Sequence, residues 1–215
     1  MKEMGLNGSL KKEKSAVLYV HGKGGSVSES EHYVPLFPNA DVSGLDYRSS
    51  FPPEAGKEIS VAVGQLKERY AYVDLIANSI GAFFSMHAGI DREIRKAYFI
   101  SPVVDMEELI LGMMDGAGVS EAELKEKRII CLPSGEELSW DYLFYVRKHP
   151  AVWNGPLEIL YGSKDVLTSR NTMEVFAEKT GARLTVMEGG EHWFHTEEQM
   201  RFLDRWIRDA QTVVQ

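Results

Sequence analysis

Apolar runs with strand character alternate along this chain with amphipathic stretches. The alternation predicts an α/β fold: a doubly wound, mostly parallel sheet flanked by helices, with an inserted lid. Two further observations sharpen the reading. The first clear strand candidate, Ala16 to Val20, is apolar on both faces, as expected of a parallel strand covered on both sides. Several strand candidates also end in glycine- or serine-bearing loops, and in open sheets of this kind ligands bind beyond the carboxyl ends of the strands.

Residues 1–15 are polar and lysine-rich and read as an arm or a short edge element. Ala16 to Val20 is a continuous β-forming run that stops at His21-Gly22-Lys23-Gly24-Gly25. Asp41 to Tyr47 is a short strand candidate, and Lys57 to Tyr70 carries helical spacing through Ile59, Val63, Leu66 and Tyr70. Tyr72 to Ala77 is a strand, Ile80 to Ala88 a helix of apolar and small residues, and Ala97 to Ile100 a strand that stops at Ser101-Pro102. Leu157 to Tyr161 and Leu184 to Met187 read as the last two strands, with a helix from Thr168 to Lys179 between them. Thr196 to Ala210 closes the pattern as an amphipathic helix with Met200, Leu203, Trp206 and Ile207 on one face.

Residues 105–152 break the rhythm, because they run far longer than a connection between a strand and the next helix. They hold a Met106, Met113 and Met114 cluster, a charged helix from Ser120 to Lys127, and the aromatics Trp140, Tyr142, Phe144 and Tyr145. The expected organisation is one domain over residues 1–215 with residues 105–152 as an inserted helical lid. A structural elaboration packed on the core is the alternative.

Composition removes whole classes of function. The 215 residues carry 24 Lys and Arg against 32 Asp and Glu, a formal charge of −8. That balance leaves no cationic excess for a nucleic-acid backbone or an anionic membrane surface. The chain has 1 cysteine, Cys131, so it forms no intrachain disulfide. No stretch approaches the roughly 18 apolar residues of a membrane span, and the N-terminus lacks the apolar core of a secretion signal. A cytoplasmic location is expected, and the oligomeric state is left open. Gly22-Lys23-Gly24-Gly25-Ser26 lacks the spacing of a nucleotide P-loop.

One constellation carries chemistry. Ala77-Asn78-Ser79-Ile80-Gly81 sits where a strand gives way to a helix, and small residues two before and two after Ser79 permit a sharp turn that exposes its hydroxyl. A serine in that place is otherwise an ordinary helix cap. As a nucleophile it needs a base, and the base needs an acid to hold its tautomer. Asp165 and His192 follow the last two strands, so parallel strands deliver all three to one edge. A tetrahedral oxyanion also needs two preorganised N–H donors. Ile80, following the serine, offers one, and the glycine loop after the first strand offers a second, that of Lys23.

These four pieces, in the order His21-Gly22 loop, Ser79, Asp165, His192, resemble the α/β-hydrolase superfamily over roughly residues 15–210. Ala77 replaces the glycine of the commonest elbow, a small change. The resemblance implies a small bacterial-type member without the first strands of larger relatives, Ser-His-Asp catalysis and no cofactor. The expected function is a serine hydrolase that cleaves a small carboxylic ester or thioester through an acyl-enzyme. The alternative is a non-catalytic ligand-binding or scaffold protein that keeps the fold.

Several residues compete for these roles. His195 is a second candidate base, set aside because it lies nearer the closing helix. A His192/His195 metal pair lacks a His-Glu-x-x-His motif or cysteine partners, so no metal is expected. Asp105 is an alternative acid or a lid-entry residue. Asp46 and Arg48 are a substrate contact or a solvated loop pair. His21 is expected to support its own loop by hydrogen bonding, while His32, His87 and His149 read as surface or packing residues.

Overall fold

A computed structural model describes residues 14–212. Most of the N-terminal arm expected over the first fifteen residues therefore lies outside the described residues.

The first strand, β1 (Ser15–Val20), is buried throughout except at Ser15. Leu18 and Val20 enter one apolar cluster, while Val17 and Tyr19 enter the other. A strand with both faces apolar is stable only when both are covered, and the remaining elements do this. A 3-10 segment (Val27–Leu36) follows, then β2 (Ala40–Gly44), α1 (Pro52–Arg69), β3 (Tyr72–Asn78), α2 (Ile80–Met86) and β4 (Ala97–Ile100). The insertion contributes α3 (Met106–Ala117), α4 (Glu121–Lys127), β5 (Ile129–Cys131), β6 (Glu137–Ser139) and α5 (Trp140–Lys148). The chain then runs through β7 (Leu157–Gly162), α6 (Arg170–Thr180), β8 (Arg183–Met187) and α7 (Glu197–Thr212).

Six strands form one sheet in the order β2-β1-β3-β4-β7-β8, and every pairing in it is parallel. This is the predicted doubly wound sheet. One face is covered by α1, α2, α6 and the insertion through Ile59, Val63, Phe83, Met106 and Phe176. The other is covered by the 3-10 segment and α7 through Tyr33, Leu36, Leu203, Trp206 and Ile207. The amphipathic pattern of α7 thus buries the face that its sequence marks.

The register decides which loops share an edge. Val20 lies beside Ala77, Asn78 beside Ile100, Ile100 beside Leu160, and Gly162 beside Met187. Five strand ends therefore share one rim. The loops that carry His21, Ser79, Asp165 and His192 all leave from it.

Some boundaries differ from the sequence reading. Helix α1 begins five residues before Lys57, because Pro52 and Pro53 occupy its first turn, where a missing N–H costs nothing. The 3-10 segment carries no strong periodicity and was not predicted. The insertion is not wholly helical, because β5 and β6 pair antiparallel as a hairpin. Three-residue strands are too short for alternation to reveal them. Met106 and Met114 are core residues of this segment, and Arg147 joins its helices by binding Glu107 and Glu121 at 2.6 Å each.

Candidate active site

Ser79 joins β3 to α2 with φ 53° and ψ −119°. A non-glycine residue pays of order 1–3 kcal/mol for such a backbone, and it persists only where its surroundings enforce it. They do so here. The Ser79 N–H donates to Ile100 O at 3.0 Å, and its carbonyl accepts from Val103 N at 3.3 Å and Ala82 N at 3.2 Å. The end of β4 and the segment after it thus grip both polar groups of the turn. Ser101 in that segment is itself at φ 43°.

Gly81 allows α2 to press against β1. A Cβ there would stand 2.7 Å from Val20 O and closer still to His21 O. The Ser79 side chain does not cap α2. Instead its Oγ lies 2.8 Å from His192 Nε2.

His192 Nδ1 lies 2.7 Å from Asp165 Oδ2. The Asp165 carboxylate is fully buried, and the imidazole is 18% exposed. Its other oxygen accepts from Leu167 N at 2.8 Å and Thr168 N at 3.3 Å. These backbone donors hold the carboxylate in place, which leaves Oδ2 aimed at the ring. Gly162 lets the two loops meet, since a Cβ there would stand 2.5 Å from both Gly190 O and Glu191 O. Lys164 N donating to Gly190 O at 2.8 Å and Gly189 N donating to Ser163 Oγ at 2.8 Å zip the loops together.

The glycine loop after β1 lies alongside. A Cβ at Gly22 would fall 3.2 Å from Ser79 Cβ. Among the described residues, no backbone carbonyl accepts from the N–H of Lys23 or of Ile80. The Lys23 side chain points elsewhere, to Glu136 Oε1 at 3.5 Å in the turn between β5 and β6. His21 Nδ1 lies 2.8 Å from Gly22 O, and its ring stacks on Tyr47 at 4.5 Å and 19°. The Tyr47 hydroxyl donates to His21 O at 2.9 Å. Sequence reading passed over Tyr47. Its only signal was its place at the end of the Asp41 to Tyr47 strand candidate, three residues beyond the observed end of β2.

The competing residues fall elsewhere. His195 Nδ1 lies 2.7 Å from Trp193 O, and its ring stacks on Trp193 at 4.4 Å. Asp105 caps α3 by accepting from Glu108 N at 2.9 Å. Asp46 and Arg48 form a solvent-facing pair at 3.6 Å. His32 binds Asp204 at 2.8 Å, and the ring nitrogens of His87 meet the carbonyls of Phe83 and His149 at 2.8 Å and 2.9 Å. Among the described residues, no group of three or more His, Cys, Asp or Glu side chains could hold a metal ion, and no helix is long and apolar enough to cross a membrane. A cavity of about 350 Å³ between α5 and α6 is lined by Phe83, Met106, Val146 and Phe176, among others. None of Lys23, Ser79, Ile80, Asp165 and His192 borders it.

No family model matches the chain, and no curated protein matches it by sequence. Solved structures do resemble it. Est1E from Butyrivibrio proteoclasticus, seen with ferulic acid bound, superposes with a TM-score of 0.72 at 15% identity, over 93% of this chain and 89% of that one. Mouse alpha/beta hydrolase domain-containing protein 10 gives 0.68 at 15% identity, over 91% and 89%. An esterase from Pyrococcus furiosus gives 0.63 at 17% identity, over 94% and 81%. With its parallel six-stranded sheet and these likenesses, the chain has the α/β-hydrolase fold.

Proposed function

We propose that this protein is a serine hydrolase acting on a small carboxylic ester or thioester, with Ser79 as nucleophile, His192 as base and Asp165 as the orienting acid. The observation that carries the reading is the unbroken relay of 2.8 Å and 2.7 Å contacts from Ser79 through His192 to Asp165. A serine that merely capped α2 would spend its hydroxyl on the helix, and Ser79 does not. A buried carboxylate aimed at an imidazole supplies what a weakly nucleophilic hydroxyl lacks.

The chemistry follows from the geometry. Ser79 Oγ attacks the carbonyl carbon while its proton passes to His192 Nε2. The Nδ1–H of the imidazolium donates to Asp165, whose charge stabilises it. The carbonyl oxygen becomes anionic, and the unengaged N–H groups of Lys23 and Ile80 receive it. Collapse of the tetrahedral species breaks the bond to the leaving group, which takes the proton from His192. Water, deprotonated by the freed imidazole, then attacks the acyl-enzyme and releases the acid and Ser79. The reaction calls on no cofactor.

We read residues 105–152 as a lid over this rim. Three contacts support that placement. Glu136 meets Lys23, and Tyr142 and Tyr145 meet Phe51 with ring centroids 5.5 Å and 5.3 Å apart. The fit of Est1E to an aromatic acid makes hydroxycinnamate-type and other aromatic esters a sensible first panel.

The test is labelling by a fluorophosphonate probe, together with turnover of p-nitrophenyl esters of graded chain length. Wild-type protein should be labelled and active. Ser79→Ala should keep its melting temperature and lose both. Undiminished labelling in Ser79→Ala removes the assignment, and a wild-type protein inert to probe and panel favours the non-catalytic alternative.

A further inference from the structure

The two N–H donors of the proposed oxyanion site sit on separate segments, the glycine loop and the elbow after β3, and something must fix the gap between them. We propose that Glu29 is the positioning residue of that site: its carboxylate, bonded to Ser26 N–H on one side and to the Tyr19 hydroxyl on the other, holds the glycine loop against the elbow. This inference rests on the serine-hydrolase reading above.

Ser26 N donates to Glu29 Oε1 at 3.3 Å. The Tyr19 hydroxyl donates to Glu29 Oε2 at 2.5 Å. Tyr19 is 1% exposed near the end of β1, and a buried tyrosine hydroxyl needs such an acceptor. Asn78, which immediately precedes Ser79, lies on the same face of the sheet as Tyr19, because Tyr19 pairs with Ile76 two residues before it. Polar contacts therefore run from Tyr19, near the end of the strand beside β3, through Glu29 to the glycine loop. The carboxylate is also pressed against that loop, because a Cβ at Gly25 would stand 2.9 Å from Glu29 Oε1. Burial, the neighbouring Tyr33 and the Glu29 charge together push the Tyr19 hydroxyl far above the usual tyrosine range, so it stays a donor throughout the working pH range.

A plain helix cap for the Val27–Leu36 segment would need only the Ser26 contact. It would leave Tyr19 without a part, and that difference is testable. Glu29→Ala and Tyr19→Phe should each slow fluorophosphonate labelling of Ser79 and lower kcat by about tenfold, with KM within about twofold, the size expected for a lost charged hydrogen bond that acts on the transition state. The double variant should be no slower than the slower single, because both break one chain. Glu29→Gln, which keeps the shape and one acceptor, should recover part of the rate. Amide hydrogen exchange gives a readout independent of activity: residues 22–26 should exchange at least about tenfold faster in Glu29→Ala, while amides of α7 stay protected. Unchanged exchange in residues 22–26 overturns the brace. So does a Tyr19→Phe variant that labels at the wild-type rate. If the wild type itself resists labelling, the serine-hydrolase reading fails and takes the catalytic role of Glu29 with it. If the wild type labels and Ser79→Ala does not, a wild-type rate in Glu29→Ala sinks the brace alone.

Discussion

Replacing Gly81 by alanine adds one methyl group, and its cost can be worked from the packing. The new Cβ would stand 2.7 Å from Val20 O and nearer still to His21 O. A carbon and a carbonyl oxygen rest no closer than about 3.3 Å, so the overlap is about 0.6 Å at Val20 and larger at His21. Both obstacles are backbone at the end of a buried strand that is paired on both sides, so they cannot rotate away as a side chain would. Helix α2 must move instead, and it carries Ile80 and the Ser79 turn with it. Overpacking of this kind costs about 1–3 kcal/mol of stability. A displacement approaching 1 Å at a reacting centre costs on the order of 10²-fold in rate. The control is Gly64→Ala in α1, where a Cβ meets nothing within 4 Å. That change should stabilise the fold by about 0.5–1 kcal/mol, because it relieves glycine's entropy cost inside a helix, and should leave the rate alone. Thermal melting and kcat/KM on a p-nitrophenyl ester, measured for both variants, make the comparison. Gly81→Ala with wild-type melting and wild-type kcat/KM would refute the claim that close contact between β1 and α2 fixes the elbow.

Three further outcomes are expected. Asp165→Asn should keep the fold, since an amide oxygen can still accept from Leu167 and Thr168, yet lower kcat by roughly 10³–10⁴-fold as the imidazole loses its anionic partner; a loss below tenfold would argue against Asp165 as the acid. Arg95→Met should destabilise the protein by about 3 kcal/mol in urea unfolding, because Asp74 is 2% exposed and both its carboxylate oxygens bond Arg95; no change in midpoint would show that Asp74 finds another partner. On the alkaline side, burial first, and then the charges of Glu29 and Glu58, push the Tyr47 hydroxyl up to about 12. Such a raised value gives stability that is complete below the unfolded value of about 10 and is lost as pH climbs through the folded one. Unfolding midpoints should therefore fall between about pH 10 and 12, and fall less in Tyr47→Phe.

The strands of the large sheet announced themselves by their apolar runs, and Ala16 to Val20, apolar on both faces, shows the pattern without help from any distant contact. The elbow was equally legible: Ala77 and Gly81 flank Ser79 at the spacing that a tight strand-to-helix turn needs. Asp105 was harder. It follows a strand end, as an acid of the site would, and only its bond to Glu108 N marks it as a helix cap. His195 stood three positions from His192 and nearer the closing helix; its ring stacks on Trp193, while that of His192 meets Ser79 and Asp165.

Local chemistry, then, told the chain's story as far as neighbours in sequence can carry it: the βα alternation, the order of the loops, and the residue types placed at each strand end. Tertiary structure alone decided which side chains meet. The bond from Tyr19 to Glu29, the Tyr47 brace on His21 and the short β5–β6 hairpin leave no periodic trace, because they depend on strand register and side-chain direction. Those are fixed only when the apolar faces close on one another, and the same closure brings Ser79, Asp165 and His192 to one rim.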